Sequence, residues 1–172
     1  MRLKLFPSLA VAACLAAGCA TVLQTSVRSD PAADFSKYRT FRVEQDRLET
    51  DQQAWLNTEI SRRLQSKGLA PAEKDADLKV VPRAFRNQST AQLTGYGWWT
   101  GGLTTESTED IPAGTLVVDL VDPGKVKPGR EQLVWRGMAK GIIPPSGGLK
   151  RDKVGLALDR LFADFPPKKA SS

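Results

Sequence analysis

The sequence predicts an α+β fold: an antiparallel or mixed β-sheet with two α-helices packed on one face. Three observations predict it. Two segments, near residues 50–67 and 150–165, place apolar residues at helical spacing. Several shorter runs are rich in β-branched and aromatic residues and are bounded by Gly, Pro and Asp. No internal repeat is visible, and the roughly 154 residues left after an amino-terminal signal suit one domain with a single core.

Taken in order, residues 25–29 read as a short strand, followed by a turn at Asp30-Pro31 and a second strand through Tyr38-Arg39-Thr40-Phe41-Arg42-Val43. The first helix begins near Thr50, with Thr50 and Gln53 spaced as a capping box. Trp55, Leu56, Ile60 and Leu64 follow on its apolar face, and Arg62, Arg63 and Lys67 sit near the carboxyl end, where the helix dipole favours cations. Gly68 ends it, and Leu69 is expected to fold back over a left-handed cap. Residues 77–85 read as a strand in which Pro82 lacks an amide donor, which points to an edge position or a bulge.

Residues 87–112 are polar and read as a long hairpin excursion centred on Tyr96, Trp98 and Trp99. Residues 114–122 alternate Leu116, Val118 and Leu120 against Thr115, Val117, Asp119 and Val121, a strand with at least one buried face. Its hairpin partner is 132–142, reached through Asp122-Pro123-Gly124 and Pro128-Gly129. A loop at 144–148 precedes the second helix, which starts around Lys150 to Asp152. It puts Val154, Ala157, Leu158, Leu161, Phe162 and Phe165 on one face before Pro166-Pro167.

The amino terminus reads as an export signal. Met1-Arg2-Leu3-Lys4 is basic, Leu5 to Ala17 carries no charge, and Gly18-Cys19 follows. The apolar run is shorter than the roughly 20 residues a membrane span needs. Leu15-Ala16-Ala17-Gly18-Cys19 resembles the bacterial lipobox; Cys14 is the rival, but processing there would leave only a short uncharged stretch after Lys4. An ordinary secretory signal with incidental cysteines is the alternative reading. The expected division is signal peptide 1–18, lipidated cysteine and tether 19–24, a single domain 25–167 and a flexible tail 168–172.

Acyl chains on Cys19 would contribute about 0.8 kcal/mol per buried methylene, so several chains together hold the protein on the bilayer. Membrane lipid is thus one expected partner. Ala20, rather than an aspartate, follows the cysteine, which resembles the sorting pattern for the outer membrane, facing the periplasm. Removal of the signal takes away Arg2 and Lys4 and lowers the formal charge from +6 to +4. That residue of basicity reads as solvated surface lysine, or as a preference for anionic head groups or polyanions in the envelope. No nucleic-acid partner is expected. The sole remaining cysteine is the lipidated one, so no disulfide forms.

Several residue strings resemble the bacterial lipoprotein family called domain of unknown function 4136. They are Asp34-Phe35-Ser36-Lys37-Tyr38-Arg39-Thr40-Phe41, Gly68-Leu69 with Asp75-Ala76-Asp77-Leu78, Gly114-Thr115-Leu116-Val117-Val118-Asp119-Leu120-Val121-Asp122, Leu133-Val134-Trp135-Arg136-Gly137 and Phe165-Pro166. They cover nearly all of the mature chain in order. The aromatic loop is similar to the family's Gly-Tyr-rich hairpin, reduced here to Gly95-Tyr96-Gly97-Trp98-Trp99, and the loop at 144–148 departs from the family. The resemblance implies an α+β domain in the envelope and brings no catalytic residue with it.

The chain has no histidine, which removes imidazole acid/base catalysis, Ser-His-Asp triads and imidazole zinc sites. An acylated Cys19 offers no thiolate. Gly-x-Ser-x-Gly, Ser-x-x-Lys and the phosphate-cradling Gly-x-x-x-x-Gly-Lys are absent. Gly95-x-Gly97 opens a dinucleotide fingerprint but has Thr100 where the third glycine belongs. Asp119 and Asp122 lie three apart on a strand and so point to opposite faces, and Asp75-Ala76-Asp77 is too sparse for a calcium loop.

No enzyme, cofactor or metal is therefore expected. Trp135 reads as core and Arg136 as a solvated or paired strand residue. Tyr96, Trp98 and Trp99 are the candidate partner-binding residues: exposed together they would sit in a membrane interface, stack on sugars or seat a protein, and otherwise they plug the core. The expected role is a membrane-anchored envelope lipoprotein with a non-catalytic structural, assembly or partner-binding function. The alternative is a periplasmic module that binds a cell-wall glycan or small envelope ligand through the aromatic hairpin.

Overall fold

A computed structural model of the chain describes residues 23–44, 50–94, 106–124, 132–144 and 148–167. The elements run β1 (Gln24–Ser29), a 3-10 turn (Phe35–Lys37), β2 (Thr40–Val43), α1 (Thr50–Ser66), β3 (Ala70–Pro71), β4 (Leu78–Phe85), β5 (Ser89–Thr94), β6 (Glu106–Ile111), β7 (Thr115–Asp122), β8 (Gln132–Lys140) and α2 (Arg151–Leu161). Six strands form one sheet in the order β1-β8-β7-β4-β2-β3, and β5-β6 form a separate two-stranded hairpin. β2 pairs in parallel with β3 and β4, and the remaining pairs are antiparallel, so the sheet is mixed. β1 starts at Gln24, one residue inside the expected tether.

β7 lies near the middle of the sheet and all eight of its residues are buried. The alternation of a strand explains what each face does. Leu116, Val118 and Leu120 join the main core with Leu56, Ile60 and Leu64 of α1 and Val154, Ala157, Leu158 and Leu161 of α2. Val117 points the other way and packs with Met138, Ile111 and half-buried Phe85. Both helices thus cover one face, while the base of the β5-β6 hairpin, through Ile111, covers part of the other. Each fully buried leucine or isoleucine of α1 contributes about 1.5–3 kcal/mol by leaving water.

The cap after α1 is a full Schellman motif. Gly68 sits at φ +91°, Leu69 N–H donates to Leu64 C=O at 3.1 Å and Gly68 N–H donates to Gln65 C=O at 2.9 Å. Leu69 is buried, as its fold-back requires. Of the expected capping box, the Thr50 side chain lies outside the described side chains, and Gln53 turns forward to donate from Nε2 to Asn57 Oδ1 at 2.8 Å.

The C-terminal cations of α1 do more than meet a dipole. Arg63 is buried and reaches α2, with Nε 2.9 Å from Asp159 Oδ1 and Nη2 2.9 Å from the Gly155 carbonyl. Lys67 Nζ donates to the Ala163 carbonyl just past α2.

Pro82 stands in an internal strand but at a position whose own edge is open. β4 is an internal strand, flanked by β7 along nearly its whole length and by β2 at its start. Glu44 N–H donates to the Val80 carbonyl at 2.8 Å, so Val80, and with it Pro82, turns its backbone polar groups toward the β2 side. β2 has already ended there, and the missing donor costs no ladder bond. α2 ends at Leu161, four residues before Phe165; Phe162 and Phe165 reach the core from the turns that follow.

Candidate functional site

Three places on the described molecule carry polar or open character, and they lie on different parts of the fold. The first is an ion cluster on the sheet face away from the helices. Arg136 Nε donates to Asp119 Oδ1 at 2.6 Å and its Nη2 to Oδ2 at 2.8 Å, while Arg83 Nη2 stands 3.2 Å from Oδ2. Asp119 is 1% exposed and Arg136 8%. A fork of this kind ties β4, β7 and β8 together and engages both carboxylate oxygens of Asp119. Asp122, expected on the opposite face, accepts from the Tyr38 hydroxyl at 2.8 Å. Burial first, and then that carboxylate, push the Tyr38 phenol well above its ordinary range.

The second is a groove of about 690 Å³ beside the edge strand β1, lined by Val27, Ser29, Arg160, Asp164, Phe165 and Pro167 among others. Val27 is 45% exposed there.

The third is a cavity of about 330 Å³ at the end of the sheet where β1 begins, lined by Arg86, Gly114, Gly141, Ile142, Ile143, Lys150 and Lys153 among others. Its floor is built from backbone. Gly114 at φ +77° accepts from the amides of Ile142 and Ile143, and a Cβ on it would stand 2.6 Å from the Ile143 carbonyl oxygen. Its walls are basic. Lys150 occupies the N-cap of α2 and makes no side-chain cap bond, where Ser, Thr, Asp or Asn is the usual choice. Lys150, Arg151 and Lys153 bring positive charge to the positive end of the helix dipole, offset in that turn only by Asp152.

Sequence reading passed over Arg86, Lys150 and Lys153. The one available signal was a lysine where a helix start calls for a short polar acceptor. The residues it did single out fare differently. Trp135 is core, and Arg136 is paired and buried rather than solvated. The arms of the excursion are β5 and β6, paired from Ser89↔Ile111 to Thr94↔Glu106. Tyr96, Trp98 and Trp99 lie outside the described residues, as does Cys19. Among the described residues no helix is long and apolar enough to cross a membrane, and no three His, Cys, Asp or Glu gather as a metal site.

The family profile described as "Domain of unknown function (DUF4136)" matches residues 25–167. The chain belongs to that family. A DUF4136 family protein from Bacteroides thetaiotaomicron, known from its crystal structure, matches with a TM-score of 0.62 and 18% identity, over 84% of this chain and 96% of that one. A PDZ domain protein from Parabacteroides distasonis matches with a TM-score of 0.54 and 17% identity, over 86% of this chain and 36% of that one. At such identities the likeness speaks of fold alone. No curated protein sequence matches the chain.

The strings that resemble DUF4136 have structural work in this fold. Phe35, Tyr38, Trp135 and Phe165, scattered along the sequence, meet in one aromatic cluster: Phe35 meets Tyr38 and Phe165 edge-on, and Trp135 meets Phe165 edge-on, each pair at 5.8 Å between centroids. Trp135 also stacks on Phe162 at 5.1 Å. Gly137 makes room for that indole, since a Cβ there would stand 2.6 Å from its ring. Asp77 Oδ2 accepts from the amides of Arg39 and Thr40 and from the Thr40 hydroxyl, all within 2.9 Å, and so pins β2 beside β4. These backbone donors hold the Asp77 carboxyl below its usual range.

Proposed function

We propose that this DUF4136 chain is a lipid-anchored lipoprotein of the bacterial cell envelope, held on the periplasmic side of the outer membrane, with a non-catalytic structural or partner-binding role. The observation that carries the reading is the spacing between the lipobox and the fold. Cys19 stands five residues before Gln24, the first residue of β1. That span allows at most about 18 Å of chain. A domain on so short a leash works at the bilayer surface.

The residue inventory supports a role without catalysis: there is no histidine. Among the described residues the most buried carboxylate, Asp119, is held in a bidentate pair. The groove beside β1, whose outer edge has no partner among the described strands, is the surface such a role would use. Mass spectrometry of the protein purified from membranes tests the anchor. Acyl chains on Cys19 as the first residue are expected, in the natural chain and equally in a Cys14→Ala variant, while Cys19→Ala accumulates as unprocessed precursor. An unmodified Cys19, or cleavage at another position, would overturn the reading.

A further inference from the structure

The third cavity lies where the tether enters the sheet. Gln24 pairs with Lys140, and Gly141, the next residue along, lines the cavity. Phe85 pairs with Thr115 at the same end of β4 and β7, and the neighbours of that pair, Arg86 and Gly114, line it as well. The short leash therefore turns the basic end of the domain, with Arg86, Lys140, Lys150 and Lys153, toward the surface to which Cys19 is fixed. Lys37, by contrast, follows the far end of β1.

We propose that this cavity is a head-group site: it receives the phosphate of an anionic phospholipid of the anchoring membrane, with Lys150 and Lys153 as its cations. The inference rests on the proposed lipidation for its orientation, and on the cavity itself for its chemistry. The occupant is anionic, because Lys150 and Lys153 bring two cations to the lining and no carboxylate is among its described residues. It must present a small charged head to a shallow, partly apolar bowl, since Ala113, Ile142, Ile143 and Pro144 complete the lining. A phospholipid held at bilayer height meets both demands. Docking there also explains why a lysine is kept at the N-cap of α2, where it weakens the helix unless an anion sits before it.

The test uses the full protein purified in detergent and reconstituted into vesicles of phosphatidylcholine alone or of phosphatidylcholine mixed with phosphatidylglycerol. Lysine acylation by a water-soluble reagent is read peptide by peptide, and Lys37 serves as the internal reference. Labelling of Lys150 and Lys153 is expected to fall roughly fivefold for each lysine in the mixed vesicles, with Lys37 unchanged, in line with the attraction of a lysine at an anionic surface. Equal labelling in both vesicles would overturn the site. A second arm adds inorganic phosphate to the protein in detergent: protection there as strong as in the mixed vesicles would overturn the lipid in favour of a soluble phosphate, and its absence supports the lipid. The intact mass of the same sample reports acylation separately. An acylated chain with unprotected lysines sinks this site alone, whereas an unacylated chain sinks the tether.

Discussion

Asp119 shows how much a single side chain carries. It is 1% exposed and sits between Arg136 and Arg83, which approach it from the two neighbouring strands. Two effects oppose each other here: three charges lose water, and three close contacts return that loss in part. Removing the carboxylate takes from Arg136 two close charge-assisted contacts that its burial depends on. Asp119→Asn is expected to cost about 3 to 5 kcal/mol in urea unfolding. Arg83, with its side chain 34% exposed, can turn to solvent, but Arg136, at 9%, cannot. Pairing Asp119→Leu with Arg136→Met is therefore expected to recover most of the loss. If the double variant were as unstable as the single one, the cluster would owe its importance to something other than uncompensated charge.

At the scale of the element, the α1 cap is the clearest local feature. Gly68 holds φ +91° with no atom near the place of a Cβ, so only the backbone conformation selects glycine. Gly68→Ala is expected to lower the unfolding free energy by about 1 kcal/mol, the cost of a left-handed L-residue, without altering the fold seen by circular dichroism. A loss several times larger would point to a steric conflict that the geometry does not contain.

This cap was legible in the sequence because its residues, Leu64, Gly68 and Leu69, are neighbours. So were the strands that alternate and both helices, since periodicity is also local. Pro82 pointed to an edge, and it has one only locally, because β2 stops before it, a fact recorded some forty residues upstream. Gln53 misled because its side chain found a partner one turn onward, in Asn57. The basic cavity left one trace in the sequence, the lysine at the start of α2: Arg86, Gly114, Gly141 and Lys150 come from four separate connections, and only the sheet register brings them to one end.

The whole molecule has a pH window set by a few contacts, some within one helix and some between distant segments. Asp77 and Glu59 are held below their usual range, Asp77 by the Arg39 and Thr40 amides, Glu59 by Arg62 and Arg63. Depressed carboxyls add stability that is present above the unfolded value near pH 4 and lost as the pH falls below it. Tyr38 works at the other limit. Its raised phenol adds stability that is intact below about pH 10 and disappears as the pH climbs past the value of the unfolded chain. Unfolding free energy measured across pH is expected to be flat in the neutral range and to fall on both sides. Tyr38→Phe should flatten the alkaline limb and leave the acid limb unchanged. An alkaline limb as steep in the variant as in the natural protein would remove Tyr38 from this account.

The placing of β1 against β8 has a consequence in time. Gln24 leaves the ribosome early, yet its ladder partner is Lys140, and Ser29 waits for Trp135. A chain made or exported from its amino terminus must hold this strand idle until almost all the rest has arrived, with its edge unprotected in the interval. Closing so long a loop is entropically slow, so β1 is the natural last step of maturation rather than its nucleus.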